Sequence, residues 1–337
     1  MTKLSEFVAA WKGKKIIVVG DIIADVTIHG HTGRVSREAP VLILEEQTRT
    51  LSPGGAANVA ANIKAMGGDP VLIGAVGDEE YDSGPELIQE LKNRKISCRR
   101  IVSSWDRTTP TKTRIFAGGT NTVCQQMLRI DSKKNGAVSD TVHKEMKRHL
   151  ANALKKSDIL VVSDYDEGTI PAGWMWRDML GFLVDTKIMV DSRHKLHDFN
   201  NGAYVMTPNE DELAELWKCP ISNKTDLVLA GNELLEKLGC KNLLVKRGRN
   251  GMVMFNCEWW DCPRSTFVGP HGHGEVADVT GAGDTVLAAF SLATAAGATP
   301  EEAMTIANVA GGIKVTKSGT AVVSKDELEE ALKKYKG

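Results

Sequence analysis

Short β-rich runs alternate with helix-length segments along most of this chain, and the strand-like runs end in Asp, Asn or Gly. "KKIIVVGD" (14–21) is followed by the helical "AANVAANIKAMG", then "PVLIGAVGD" by the helical "SGPELIQELKNRK". Further on, "DILVVSDY", "TKIMVDS", "AYVMTPN" and "NLLVKRG" are strand-like, with helix-length segments predicted between them. Such a rhythm leaves few architectures. It predicts an α/β chain of βαβ units with a central, mostly parallel sheet and helices on both faces. Ligands then bind at the carboxyl ends of the strands, where the polar strand-end residues fall. Two stretches break the rhythm. Residues 25–47 and 111–131 have turn-rich middles and predict hairpins, a small β lid projecting from the main body. With no internal repeat and no long linker, residues 1–337 are expected to form one domain.

Composition narrows the partners. With 42 basic and 43 acidic residues the formal charge is −1, which offers no whole-chain attraction to nucleic acid or to an anionic membrane. The apolar runs are strand-sized, far below the roughly 20 residues of a membrane span. "MTKLSEFVAAWKGKK" predicts a short amphipathic helix rather than a signal peptide, so the expected location is the cytoplasm. Six scattered cysteines without a C-x-x-C pair predict reduced, mostly packed thiols and no zinc site.

Five stretches could carry chemistry. In "DVTGAGDTVLAAF" (278–290), Gly281, Ala282 and Gly283 let backbone N–H groups converge at a helix start, an anion site by dipole and free donors. Asp284 follows in the first turn, where it is either a plain cap or a base beside an anion hole, fit for moving a phosphoryl group to an alcohol. Gly54 and Gly55 allow close backbone approach, and Asn58, one turn on, could bond a polyol. Asp21 and Asp25 could grip vicinal hydroxyls or merely form turns. Asn209 and Glu212, spaced i and i+3, could order the water shell of Mg²⁺ or simply start a helix. Lys246 and the glycines of "VKRGRNG" could meet nucleotide phosphates or form a basic turn. Trp174, Trp176, Trp259 and Trp260 are expected to pack rather than stack on a ligand, and His271 and His273 to border the nucleotide.

The order of these motifs resembles the ribokinase-like (PfkB) carbohydrate kinases over essentially residues 14–333, with "DVTGAGD" the most specific element and "ANVAGGIKVTKSGT" (307–320) a nucleotide-side helix. The resemblance implies Asp284 as catalytic base, with Gly281, Ala282 and Gly283 as the anion hole. It assigns Asp21, Asp25, Gly54, Gly55 and Asn58 to the sugar. It assigns Lys246, Gly248, Gly251, Asn308, Asn209 and Arg193 to ATP, and Asn209 and Glu212 to Mg²⁺ through water. Asp278 and Thr280 match positions that hold a monovalent cation, K⁺, in some members. Lids in such kinases often pair between subunits, which implies a homodimer.

"GRVSREAPVLIL", "TKTRIFAGGTNTVCQQMLRID" and "SDYDEGTI" are similar to the kinase domain of bacterial heptose-7-phosphate kinases of ADP-heptose and lipopolysaccharide precursor synthesis. A phosphosugar needs a second basic site, for which Lys112, Arg114 and Arg129, with Arg34 and Arg37, are candidates. Glu167 stands where that subfamily tends to carry a lysine, and Asp191-Ser192-Arg193 where it tends to carry Asp-Pro-Lys. The expected activity is ATP-dependent phosphorylation of D-glycero-D-manno-heptose 7-phosphate, with a separate nucleotidyltransferase acting downstream. The alternatives are another acceptor (a hexose phosphate, a pentose or a nucleoside) and a catalytically silent sugar- or nucleotide-binding regulator.

Overall fold

The computed structural model describes residues 3–118, 123–132, 137–155, 157, 159–171, 186–257, 264–272 and 276–335. Its centre is β1 (Lys15–Gly20), whose β-branched residues suit a strand buried on both faces. Successive side chains point to opposite faces, so Ile16 and Val18 enter one apolar core while Ile17 and Val19 enter the other.

β1 pairs in parallel with β4 (Asp69–Gly77) on one side and β8 (Ile159–Asp164) on the other. The sheet runs on through β9 (Lys187–Ser192), β10 (Val205–Met206) and β11 (Asn242–Lys246), with β5 (Ile101–Ser104) at the far edge. Only β12 (Met252–Asn256) and β13 (Arg264–Val268) pair antiparallel, giving the order β13-β12-β11-β10-β9-β8-β1-β4-β5.

One face carries α1 (Lys3–Ala9), α2 (Ala56–Ala65), α7 (Ala282–Ala295), α8 (Pro300–Lys314) and α9 (Lys325–Lys334). The other carries α4 (Asp140–Leu154), α5 (Glu210–Trp217) and α6 (Lys224–Leu238), while α3 (Ser83–Asn93) follows β4. Helix α7 is buried on all sides from Asp284 to Thr294. A helix apolar all round has no solvent face, so its first turn is held from every direction.

The two predicted hairpins exist but form one object. β2 (Ile22–Val35) pairs antiparallel with β3 (Leu42–Gly55), β6 (Thr111–Gly118) with β7 (Gln125–Ser132), and β2 joins β6 in parallel. The result is a four-stranded sheet, β3-β2-β6-β7.

Two expectations need correction. The link from β9 to β10 holds a single 3₁₀ turn, Leu196–Phe199, rather than an α-helix, the twelve residues 193–204 being only just enough for a parallel crossover. The cysteines are not mostly packed. Among the five described, Cys124, Cys219 and Cys257 are exposed, Cys98 is partly buried and only Cys240 is buried. Cys262, the four tryptophans Trp174, Trp176, Trp259 and Trp260, and His273 lie outside the described residues. Among the described residues no helix is long and apolar enough to cross a membrane.

Candidate active site

The α7 N-terminus is the focus. Gly281, its N-cap, has φ 73°, a left-handed conformation, and a Cβ there would lie 2.5 Å from Asn58 Nδ2. Glycine therefore lets the helix start against α2. The Ala282 amide donates to the Val279 carbonyl at 3.2 Å, so it is not available to an anion. Among the described residues the amides of Gly281, Gly283 and Asp284 have no backbone acceptor, and the expected hole shifts by one residue toward Asp284.

Asp284 is 2% exposed. Asn58 Nδ2 donates to its Oδ2 at 2.7 Å and the Tyr165 hydroxyl to its Oδ1 at 2.9 Å. Burial pushes this carboxyl up to about 7, with Asp191 and Asp25 adding repulsion against the two hydrogen bonds that lower it. A carboxylate near neutrality is suited to take a proton from a hydroxyl. Burial, with the Asp284 charge beside it, holds the Tyr165 phenol well above its usual range, so it stays a donor.

Asn58 and Asp21 behave differently from the expectation. Asn58 is 1% exposed; it bonds Asp284, and its Oδ1 accepts from Asn62 Nδ2 at 3.1 Å, so it orients the Asp284 carboxyl rather than opening onto a polyol. Asp21 is fully buried and accepts three backbone N–H groups, from Tyr165 (2.8 Å), Glu167 (3.1 Å) and Thr169 (3.0 Å). It straps the 165–169 loop, which carries Tyr165, instead of gripping hydroxyls. Buried Arg107 braces the same loop through the Glu167 carbonyl (3.2 Å) and Thr169 Oγ1 (3.0 Å).

Two chambers meet at this helix end. The inner chamber, about 200 Å³, is lined by Asp25, Gly55, Lys112, Arg114, Tyr165 and Asp284, among others. It shares Asp25, Arg114, Thr280 and Thr320 with an outer chamber of about 630 Å³ under the lid. Asp25 and Arg114 form an ion pair at 2.6 Å, both largely buried. Gly54 makes room for it, since a Cβ there would lie 2.5 Å from Asp25 Oδ2. Lys112 Nζ sits 4.9 Å over the Tyr165 ring. Arg129 does not join them. It is half exposed and turns to Asp131 on its own strand, at 2.8 and 2.9 Å. Arg34 and Arg37 are exposed and line neither chamber.

The other chamber, about 330 Å³, lies across α7 and is lined by Lys246, Gly248, Gly251, Gly283, Asn308 and Gly312, with His271 at its rim. It is cradle-shaped because side chains are missing. A Cβ on Gly251 would lie 2.0 Å from the Val268 carbonyl, and one on Gly312 2.4 Å from that of His271. A Cβ on Gly283 would lie 3.5 Å from Lys246 Nζ, filling the passage between lysine and helix end. Asn308 Nδ2 donates to the Gly269 carbonyl at 2.7 Å.

Lys246 Nζ pairs with Asp191 Oδ1 at 2.8 Å. Burial works against its charge, but Asp191 and Glu212 outweigh it and hold the ammonium above its usual range. Glu212 is itself pushed up by burial, against the pull of Lys246.

Asn209 and Glu212 form a reciprocal capping box, each accepting the other's backbone N–H at 2.8 Å, so one oxygen of each belongs to the start of α5. The oxygen donors of Asp191 and Glu212 suit a hard cation that keeps most of its water, and among the described residues no cluster of three or more metal-ligating side chains exists. Arg193, expected at the nucleotide, is exposed and lines no part of this chamber. Asp278 accepts from the amides of Thr280 and Gly319, each at 2.8 Å, and so ties two loops together.

The model of the pfkB family of carbohydrate kinases matches residues 14–327. The chain belongs to this family. As a pfkB carbohydrate kinase it is a phosphotransferase with an alcohol group as acceptor. It is 34% identical to the bifunctional protein HldE of Hyphomonas neptunium over 98% of its length, and 35% identical to that of Gluconobacter oxydans over 94%. It spans only 66% and 64% of those two proteins. The fold is shared with phosphofructokinase-2 from Escherichia coli in complex with fructose-6-phosphate (TM-score 0.73, 18% identity, 95% of this chain and 99% of that one). The same enzyme in complex with potassium gives 0.73 at 18% identity, again over 95% and 99%. Ribokinase of Arabidopsis thaliana with ribose and ATP gives 0.70 at 20% identity over 96% and 99%.

Sequence reasoning missed Tyr165, Asp191 and Arg107 as parts of this pfkB site. Each acts through a partner far away in sequence, 119 residues for Tyr165 and Asp284 and 55 for Asp191 and Lys246. The signal was a tyrosine and an aspartate at the ends of two parallel strands.

Proposed function

We propose that this pfkB kinase transfers the γ-phosphoryl group of ATP to a hydroxyl of a phosphosugar in the cytoplasm, with D-glycero-D-manno-heptose 7-phosphate as the acceptor. The observation that carries the proposal is a buried carboxylate near pKa 7 at a helix end that separates a glycine-cradled chamber from one holding Lys112 and Arg114. The HldE relatives support the heptose, and in that case a nucleotidyltransferase activity consumes the product.

ATP fits the glycine-cradled side, its phosphates between Lys246 and the free amides of Gly281, Gly283 and Asp284. The sugar enters under the lid. Asp284 takes the proton of the attacking hydroxyl, whose oxygen bonds the γ-phosphorus as the bond to the leaving ADP oxygen breaks. Tyr165 and Asn58 hold the carboxylate in place, and the amides receive the developing charge. Mg²⁺, held by the phosphates and water near Asp191 and Glu212, would neutralise phosphate charge.

The lid exposes Leu42, Leu128 and Ile130, apolar residues that a second copy would cover in a homodimer.

A hexose phosphate is the second acceptor, because the Asp25–Arg114 pair is neutral and sets no single phosphate position. ADP release measured across a panel of sugar phosphates, free sugars and nucleosides tests the proposal. The heptose 7-phosphate should give the highest kcat/KM, and turnover with it no faster than an acceptor-free blank would rule that substrate out.

A further inference from the structure

Lys314, the last residue of α8, stands with Trp11, Phe255 and Phe290 among the largest fully buried side chains. No step of the proposed transfer uses it. A fully buried lysine is rare because the charge loses its hydration, so a compensating environment is required. Its Nζ donates to the Lys317 carbonyl at 3.2 Å. Burial pulls its pKa below the usual lysine range, and the opposing charges of Asp278 first and Asp284 after it work to keep it ionised. Lys317 turns its own ammonium away, to Glu327 at 2.6 Å and the Val322 carbonyl at 2.9 Å.

The backbone around that ammonium is tied to the segment that leads into the helix entry. The amides of Ala277 and Asp278 both donate to the Val315 carbonyl, at 2.8 and 3.2 Å, and Gly319 N donates to Asp278 Oδ2. Segments 277–280 and 314–319 are thereby stitched together, and 280 leads directly into the helix entry. A monovalent cation at Asp278 and Thr280, where the family resemblance puts one, would lie in this stitched region. Here both Asp278 oxygens already accept N–H donors and the Lys317 carbonyl accepts the Lys314 ammonium, so a second positive charge would have to share those oxygens and sit against a buried ammonium.

We infer that Lys314 supplies, as a tethered ammonium, the positive charge that K⁺ would bring to the back of the Gly281–Asp284 turn, and that this kinase works without a monovalent cation. Covalent attachment makes the charge independent of ionic composition, at the cost of burying a long side chain.

The inference rests on the kinase proposal only through the position of the anion hole, and its first test needs no acceptor. Thermal melting with MgATP is compared in potassium chloride and in tetramethylammonium chloride at equal ionic strength. A cation that binds the native state raises the melting temperature with its concentration. The wild-type chain should melt at the same temperature in both salts. Lys314→Ala, which opens a hole, should bind ATP about tenfold more weakly in tetramethylammonium and recover in potassium. Lys314→Met, which fills the hole without charge, should bind weakly in both salts and keeps the test readable if the alanine variant does not fold. Once an acceptor is known, wild-type turnover should change by less than about twofold between the salts. Potassium-specific stabilisation or activation of the wild type would overturn the inference, as would ATP affinity in Lys314→Met equal to wild type. Failure of the kinase proposal alone would leave the melting and ATP-binding comparisons intact.

Discussion

The helix end at Gly281–Asp284 and the four-stranded lid make opposite use of charge. At the helix end the charged groups are buried or nearly so and have partners fixed by packing, as with Asp284 between Asn58 and Tyr165 or Lys246 on Asp191. On the outer lid strand the charges are closer to solvent and choose partners locally, as Arg129 does with Asp131 two residues along its strand, while Arg114 on β6 still reaches Asp25 on β2 at the chamber wall. Over-determined geometry carries the chemistry shared by the family. The lid, which covers the outer chamber, is where acceptor choice can be written.

That contrast can be broken at its strongest point first. Asp284→Asn should lower kcat by about 10²–10⁴-fold while ATP binding persists, measured by steady-state kinetics and calorimetry. The same variant should be more stable than wild type at pH 8. The folded Asp284 carboxyl titrates near 7, above its unfolded value, so the folded state binds the extra proton. Its contribution is therefore present below about pH 4 and is lost as pH rises through 7, a displacement of about 4 kcal/mol at most. Melting curves at pH 5 and 8 would expose the sign; equal stability of the two proteins at pH 8 would contradict it.

Arg114→Ala comes next. It removes a partner of Asp25 in the acceptor chamber and should raise the KM for a phosphosugar by about 10–100-fold with little change in ATP affinity. If the free sugar and its phosphate suffered equally, Arg114 would not be reading phosphate. Tyr165→Phe should act more gently and on pH. The ascending limb of kcat/KM, expected near 7, should move to higher pH, because the lost hydrogen bond was holding the carboxyl down. A bond worth about 1 kcal/mol moves it by about 0.7 unit. Smallest of all, Arg129→Ala should change kcat/KM by less than about twofold, since an exposed, locally paired arginine contributes little. A tenfold loss there would mean that the lid closes further on its substrate than this structure shows.

The same division governs what the sequence could tell. Apolar, β-branched runs announced β1, β4, β8, β9 and β11, because strands buried on both faces tolerate little else. Gly281 announced the tight helix entry, since its left-handed φ and the 2.5 Å approach of Asn58 Nδ2 leave no room for a side chain. The two lid stretches were visible as hairpins, but their joining through β2 and β6 was not, because parallel pairing leaves no turn signature. The roles of Asp21 and Asn58 were misassigned for a physical reason. A carboxylate or carboxamide at a strand or helix end looks alike whether it faces a sugar or three amides of a loop some 144 residues away, and only the folded chain decides. The one-residue shift in the anion hole came from a local turn, Ala282 to Val279, below the resolution of motif reading.

The partition at α7 also has a use in inhibitor design. Its two chambers lie on either side of a single helix end, and Gly283 puts no side chain between that end and Lys246. A compound joining a nucleotide fragment to a sugar fragment would cross that divide with a linker of phosphate dimensions. Each half would raise the effective concentration of the other, giving affinity that neither fragment has alone. Selectivity between pfkB kinases would then come from the half lying under the lid.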